Sequence, residues 1–430
     1  MNFALLDLDL EKNLIPWDDI SSDWKIKISQ AILGQKPPKS VFFPENIENL
    51  SKIIQFTSQN QLKVLVCGNG SKLSWGKLVD PIEVVISNQK LNRIIDHAVD
   101  DLTVTVESGL KLADLQRFLA QENQFLPLDP SDQQNATLGG IVATADTGSW
   151  RQRYGGVRDL VLGLSFVRPD GAIAKAGGRV VKNVAGYDLM KLFTGSYGTL
   201  GIISQITFRT YPIPPFSTSL IISGSVDLIN TCVNSLRASA LTPTAMDLIS
   251  SYFLKQLGIN QEMGLLIRFQ SIPESVVAQV NQVENFAQSF GLSFAIYSED
   301  DEQKLWENLT EITTINSHSG VTCKVGILPN QAVSFLQKLA KITENQGFGL
   351  IHSNSGLGKI WLKQEKTLNT LIQCREYCQK HQGFLTVLEA NPYLKQQFDP
   401  WGYQGNSLDL MIKIKQLFDP KNLLNPHKLT

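Results

Sequence analysis

Glycine is unevenly spread along this chain: thirteen of its 31 glycines fall between Gly139 and Gly201. Glycine weakens regular elements and is favoured where backbone turns sharply or lies close against another group. This stretch is therefore where a bound cofactor is expected. Within it, Asn135 to Thr144 reads NATLGGIVAT. Gly139 and Gly140 allow the backbone to approach a phosphate beside Thr137 and Leu138, and the small Ala143 and Thr144 leave room for a flat ring system. Leu128-Asp129-Pro130 leads into this loop.

A second loop of the same capacity comes earlier. Ile47, Leu50 and Ile54 recur at helical spacing behind Pro44, and LKVLV (62–66) then reads as a buried strand. The strand runs into Gly68-Asn69-Gly70-Ser71-Lys72. Successive N–H groups in such a turn point inward and form a concave anion site. The loop does not match a Walker A sequence, and no GxGxxG opens a βαβ unit. Two phosphate-holding loops separated by about 70 residues suit a pyrophosphate gripped from both sides.

Between and beyond these loops the texture is mixed. LTVTVESG (102–109) alternates like a strand, and a short helix is expected from Lys111 to Glu122. The prolines at 212–215 mark a domain boundary. After it, STSLIISG, GLLIRFQS, LSFAIYS, VTCKVGIL, FGLIHS and GKIWLK read as strands. The clearest helix runs from Pro273 to Phe290, with Val276, Val280, Val283, Ala287 and Phe290 as its core stripe. This half predicts an α+β domain with helices over one face of an antiparallel sheet. The tail, KIKQLFDPKNLLNPHKL, predicts a helix followed by two Asx-Pro turns.

Composition narrows the function classes. A net charge of −1 gives no electrostatic footprint for nucleic acid. No stretch reaches the roughly 18 apolar residues of a membrane span, and MNFALLDLDLEKN lacks the basic start of a secretory signal. The expected setting is cytoplasmic, with membrane contact only through a partner. Cys67, Cys232, Cys323, Cys374 and Cys378 form no disulfide or metal pattern, and no CxxCxxC run holds an iron–sulfur cluster.

The ordered segments together resemble the FAD-linked oxidases of the vanillyl-alcohol oxidase and para-cresol methylhydroxylase type. The resemblance rests on Phe43-Pro44, the GNGS loop, ESGLKLADL, LPLDPSDQQNATLGGIVAT, YGGVRDLVLGLSFVRPDG, KNVAGYDLMKLFTGSYGTLGIISQITFRTYPIP and the terminal FDPKNLLNP. GLGKIWL (356–362) and DPWGYQGNSLDLMIKIKQLFDP (399–420) are most similar to the FAD-binding subunits of bacterial-type glycolate oxidase. That likeness implies an α+β fold: a FAD-binding lobe in two α+β halves, an α+β cap with an antiparallel sheet, and a last segment returning to the FAD lobe. Expected boundaries are an extension at 1–38, the FAD domain at 39–215 with its halves split near 95, the cap at 216–414, and the return at 415–430. Cofactor-binding positions carried over are Gly68, Asn69, Gly70, Ser71, Lys72, Pro130, Thr137, Leu138, Gly139, Gly140, Ala143, Thr144, Gly201 and Ile202.

The likeness also implies a 2-hydroxy acid substrate such as glycolate, a larger flavin subunit and an iron–sulfur subunit. Some relatives attach FAD to a His of the first loop; Ser71 and Lys72 stand there instead, which predicts non-covalent FAD. The metal-binding histidines of the D-lactate dehydrogenase branch have no counterpart motif, so no metal is expected. Oxidation of a hydroxy acid needs a base for the hydroxyl proton and a cation for the carboxylate. His352 is the candidate base, and Lys324, Arg268 and Lys359 the candidate cations. Two other readings stay open at this point: a non-catalytic subunit that serves assembly, and a self-sufficient oxidase that uses oxygen.

Overall fold

A computed structural model describes residues 11–34, 36–178, 186–363 and 367–429. The opening segment 1–10 and the KNVA part of the 182–214 motif lie outside the described residues. The chain divides into two compact units. The first is Met1–Thr147, Gly155–Ile213 and Tyr403–Thr430; the second is Gly148–Tyr154 and Pro214–Gly402.

Two sheets build the first unit. One contains β1 (Leu14–Pro16), β2 (Ser40–Phe42), β3 (Val64–Cys67) and β4 (Val84–Ser87), in the order β1-β2-β4-β3. β2, β4 and β3 are parallel. Parallel strands are covered on both faces, so they read as unbroken apolar runs. Val64, Val84 and Ile86 join the helix Ile47–Gln59 in one core, while Leu65, Val85 and Val41 join a second. The alternation of the strands alone thus serves two layers.

The second sheet holds β5 (Ile94–Ala98), β6 (Thr103–Glu107), β8 (Val161–Val167), β9 (Ile173–Gly177) and β10 (Ile202–Arg209), all antiparallel, in the order β5-β6-β10-β8-β9. A two-strand ribbon, β7 (Gln124–Phe125) with β11 (Tyr211–Pro212), lies beside the chain's exit from this unit. The helices Leu112–Leu119 and Leu138–Thr144 bury Leu112, Leu115, Leu138 and Ile141 in its core.

The chain returns to this unit through the helix Ser407–Phe418 and the segment after it. Lys415 Nζ donates to the carbonyls of Thr199 and Leu424, both at 2.9 Å, and pairs with the buried Asp419 carboxylate. Asp419 Oδ2 in turn accepts from the Leu424 N–H at 2.8 Å. Residues 423–425 are thereby held along β3, with Val64 N donating to Leu423 O and Asn425 N to Val64 O, both at 2.8 Å. FDPKNLLNP is the sequence that makes this clamp.

The second unit is an eight-stranded antiparallel sheet: β12 (Phe216–Gly224), β13 (Ala245–Ser250), β14 (Met263–Ser271), β15 (Ser293–Ser298), β16 (Gly320–Gly326), β17 (Phe348–His352), β18 (Leu357–Lys363) and β19 (Phe384–Glu389). Their order is β15-β12-β14-β13-β17-β18-β16-β19. The expectation of helices over one face is corrected. Helices Val226–Arg237, Pro273–Ser289, Ala332–Ile342 and Thr367–Lys380 share one core with Leu220, Leu265 and Leu248. On the other face Phe253, Leu254, Leu305 and Leu309, from Ser251–Gln256 and Glu299–Ser319, cover Ile221, Leu266 and Ile249. The reason is in the strands: LLI and LIIS are apolar at consecutive positions, so neither face can be left to water. Among the described residues no helix is long and apolar enough to cross a membrane.

Candidate functional site

β3 ends at Cys67, and the backbone then turns through Gly68-Asn69-Gly70-Ser71 with Gly70 at φ +76°. Ser87 Oγ donates to the Gly68 carbonyl at 2.7 Å and fixes the start of the turn. The Gly139 N–H donates to Ser108 O at 2.7 Å, tying the second loop to the end of β6. Thr137 stands before the helix Leu138–Thr144 and accepts from the Gly140 N–H at 3.4 Å.

The two loops touch. A Cβ added at Gly68 would come within 2.0 Å of Thr137 Oγ1, and one added at Gly139 within 2.7 Å of Ser108 Cβ. Both glycines are therefore required by close approach rather than by turn geometry. Together the loops wall a cleft of about 770 Å³, including its part open to solvent.

Of the residues expected to bind cofactor, Gly68, Asn69, Gly70, Ser71, Lys72, Thr137, Gly139, Gly140, Ala143, Thr144, Gly201 and Ile202 line this one cleft. Pro130 and Leu138 do not. Leu138 opens a helix whose inner side faces the core, and it is fully buried there. Pro130 is buried too, next to Ser131, whose N–H donates to Asp146 at 2.8 Å.

The cleft also has walls that sequence reasoning missed. Asn88, Ser108, Tyr197, Gly198, Asn425 and Lys428 line it. Asn88 Nδ2 donates to Ile203 O at 2.9 Å and to Ser108 Oγ at 3.1 Å, while its buried Oδ1 has no hydrogen-bond partner among the described residues. Asn425 accepts from Val66 N at 2.7 Å and donates to Tyr197 O at 2.6 Å. The NPHK segment after FDPKNLL was a usable signal for Asn425 and Lys428, since the tail was already expected to return to this lobe. Nothing local marks Asn88 or Ser108.

Lys72 and Lys428 line the cleft, and no carboxylate side chain is among its described lining residues. Lys72 is buried against the buried Asp146, with Nζ 3.5 Å from Oδ2. Burial pushes the Cys67 thiol up to about 12, which keeps it protonated and a poor nucleophile. Burial, and then the nearby Asp146, raises the Tyr197 phenol well above its ordinary value. The wall thus offers glycine backbone, ammonium groups, a spare amide acceptor and neutral side chains. Such a set suits an anionic ligand with a polar, flat component, and a dinucleotide has both.

The candidate catalytic residues lie in the second unit. His352 pairs across the sheet with Asp247, Nδ1 to Oδ1 at 2.6 Å, and both side chains are buried. Lys324 and Lys359 face each other directly on β16 and β18. Strand alternation puts all four on the face that also carries Ile249 and Trp361. Arg268 shares that face but is committed elsewhere. Its Nε donates to Glu302 at 3.0 Å and its guanidinium lies over Trp306, 4.8 Å from the ring centre. Glu302 also accepts from Ser217 and Ser219, so Arg268 is part of a hydrogen-bonded network on that face.

Comparison with known proteins agrees with the cleft's chemistry. Residues 38–177 match the FAD binding domain family, and residues 388–429 match the C-terminal domain of FAD linked oxidases. The glycolate oxidase subunit GlcD of Bacillus subtilis is 24% identical over 435 residues, covering 92% of this chain and 89% of that one. The mitochondrial D-lactate dehydrogenase (cytochrome) 1 of Saccharomyces cerevisiae is 26% identical, covering 92% of this chain and 73% of its own. A crystal structure of p-cresol methylhydroxylase with substrate bound shares the fold, with a TM-score of 0.76 at 15% identity over 97% of this chain and 94% of that chain.

Proposed function

We propose that this chain, an FAD-dependent oxidoreductase with the FAD binding and C-terminal domains of the FAD linked oxidases, oxidises a small 2-hydroxy acid. FAD is held without a covalent bond in the cleft between the Gly68–Lys72 and Thr137–Thr144 loops. The observation that carries the reading is this cleft: two loops about 70 residues apart in sequence meet there, closed by glycines that admit no side chain and lined by Lys72 and Lys428. The similarity to glycolate- and D-lactate-oxidising proteins supports the substrate class.

When bound, FAD supplies the acceptor for the two electrons of the oxidation. The chain's own residues meet the other two demands. His352, oriented by Asp247, takes the hydroxyl proton through its second ring nitrogen. Lys324 and Lys359, directly opposite each other on β16 and β18, offer the cations for the substrate carboxylate. Electrons leave through a partner protein, a reading supported by the similarity to GlcD, which is a subunit of glycolate oxidase. An iron–sulfur subunit and a larger flavin subunit fit that role, and any membrane association is through them.

Anaerobic titration of the purified chain with glycolate and with D-lactate tests this reading. The flavin should bleach with a 2-hydroxy acid and stay oxidised with acetate. A flavin that bleaches with dithionite but with no 2-hydroxy acid would overturn it in favour of a subunit that serves assembly.

A further inference from the structure

The eight-stranded sheet of the second unit has a recess on the face away from His352 and Asp247. Met246 on β13 and Ile267 and Phe269 on β14 floor it, and Leu236 and Val283 from the helices Val226–Arg237 and Pro273–Ser289 wall it. These five side chains are at most 4% exposed and belong to the core under those helices. Alternation along the strands sets the two faces apart: Met246 and Ile267 point into that core, while Asp247 lies opposite Leu266 on the other face.

The recess holds about 310 Å³, including its part open to solvent. At about 30 Å³ for each water of the liquid, no more than roughly ten waters fill it, so an occupant has to be small. Apolar walls that face a gap lose dispersion contacts on that side, and an apolar tail restores them.

Arg237, the last residue of its helix, and Asn354, in the turn after β17, complete the lining. Arg237 is half-buried and Asn354 exposed, and neither side chain has a hydrogen bond or ion pair among the described residues. No acidic side chain is among the described lining residues. The turn that carries Asn354 is tied to the floor of the recess, since Ser353 donates from N at 2.8 Å and from Oγ at 2.9 Å to Met246 O. A guanidinium presents a planar fork that matches a carboxylate, and an amide beside it adds a further donor.

We propose that this recess binds a small monocarboxylic acid with a short apolar tail, its carboxylate on Arg237 and Asn354 and its tail over Met246, Ile267 and Phe269. The site lies wholly within the second unit and does not depend on FAD. Its floor and its rim include Met246 and Asn354, one and two residues along the chain from Asp247 and His352, so the occupant sits behind that pair rather than in front of it.

Ligand-observed NMR titration of the full chain with three probes tests the site: pentanoate, which has both parts, acetate, which has the carboxylate alone, and pentan-1-ol, which has the tail alone. Pentanoate should bind with a Kd on the order of 1 mM, as expected of a short buried tail and one charge-assisted contact. Acetate and pentan-1-ol should each bind at least about tenfold more weakly. In Arg237→Met, pentanoate affinity should fall about tenfold to a hundredfold. Leu241→Trp, which enlarges a half-buried lining residue, should fill the recess and lose pentanoate as well. Lys255→Met, the loss of an exposed cation of the same unit, should change nothing.

Retention of pentanoate binding in either Arg237→Met or Leu241→Trp would put the acid elsewhere on the molecule and overturn the proposal. Acetate or pentan-1-ol binding as tightly as pentanoate would overturn it too, as would a wild-type chain that binds no pentanoate.

Discussion

Gly139 shows how much a single hydrogen atom can matter. Its Cα lies so near Ser108 that an added Cβ would sit 2.9 Å from the carbonyl oxygen as well as 2.7 Å from the side chain. Gly139→Val must push the helix Leu138–Thr144 off β6, so it should lose FAD while the second unit keeps its fold. Flavin absorbance per protein, read beside the far-UV spectrum, checks this. His352 poses the complementary test in the other unit. His352→Asn keeps a polar side chain beside Asp247 but removes the proton acceptor. Flavin reduction by the hydroxy acid should slow by about a hundredfold or more, with FAD occupancy unchanged. Gly139 and Thr137 could be singled out because a Gly-Gly pair beside a threonine is itself a local sign of close backbone approach. Asn88 could not, because its importance comes from Ile203 and Ser108, partners that no local pattern reveals. The ion pair of Arg268 was not legible for the same reason: its partner Glu302 stands on the helix Glu299–Ser319, far along the chain.

At the scale of elements, β13 is the instructive miss. AMDLIS carries an acid at its middle and so does not read as a central strand, yet every residue of it is buried. His352 on the neighbouring strand is what lets Asp247 lie in the sheet. Strands with clean apolar runs, such as β3, β12 and β14, were legible, since their pattern alone decides them. The short helix Pro392–Gln397 makes a quantitative case. It is capped by Asn391, and it buries Lys395, whose Nζ donates to Leu388 O at 3.2 Å. Burial drags this ammonium from 10.5 down to about 8, against a partial pull upward from Glu389. The unfolded chain therefore binds more protons between pH 8 and 10.5, and stability contributed here rises with pH through that window. The penalty is fully present at pH 7. Lys395→Met should accordingly stabilise the second unit at pH 7 by about 1–3 kcal/mol. The gain should fade above pH 10.5, as thermal unfolding midpoints at the two pH values would show.

At the scale of the whole molecule, one chain alone should carry out incomplete chemistry. Two electrons from a hydroxy acid can rest on a flavin, but they must then leave. Burial keeps the described cysteine thiols protonated, with Cys374 and Cys378 both pushed to about 12. Steady-state glycolate oxidation with an artificial dye should be far slower for the isolated chain than for a co-expressed assembly, and a cysteine-rich iron–sulfur chain should co-purify with it. Turnover of the lone chain with oxygen as fast as the assembly achieves with dye would count decisively against this.

The clamp on β3 has a consequence in time. β3 is the outer strand of its sheet, and the segment that covers its open edge includes Asn425, which lies 359 residues beyond Val66. At the usual pace of translation, roughly 5–20 residues each second, that cover arrives about 20–70 s after the strand it protects. Throughout that interval the nascent chain presents an apolar, unpaired strand edge, the kind that recruits other chains. The strand that leads into the glycine loop is thus made early and sealed late, and a holdase that shields residues 62–67 on the ribosome would act at the moment of greatest exposure.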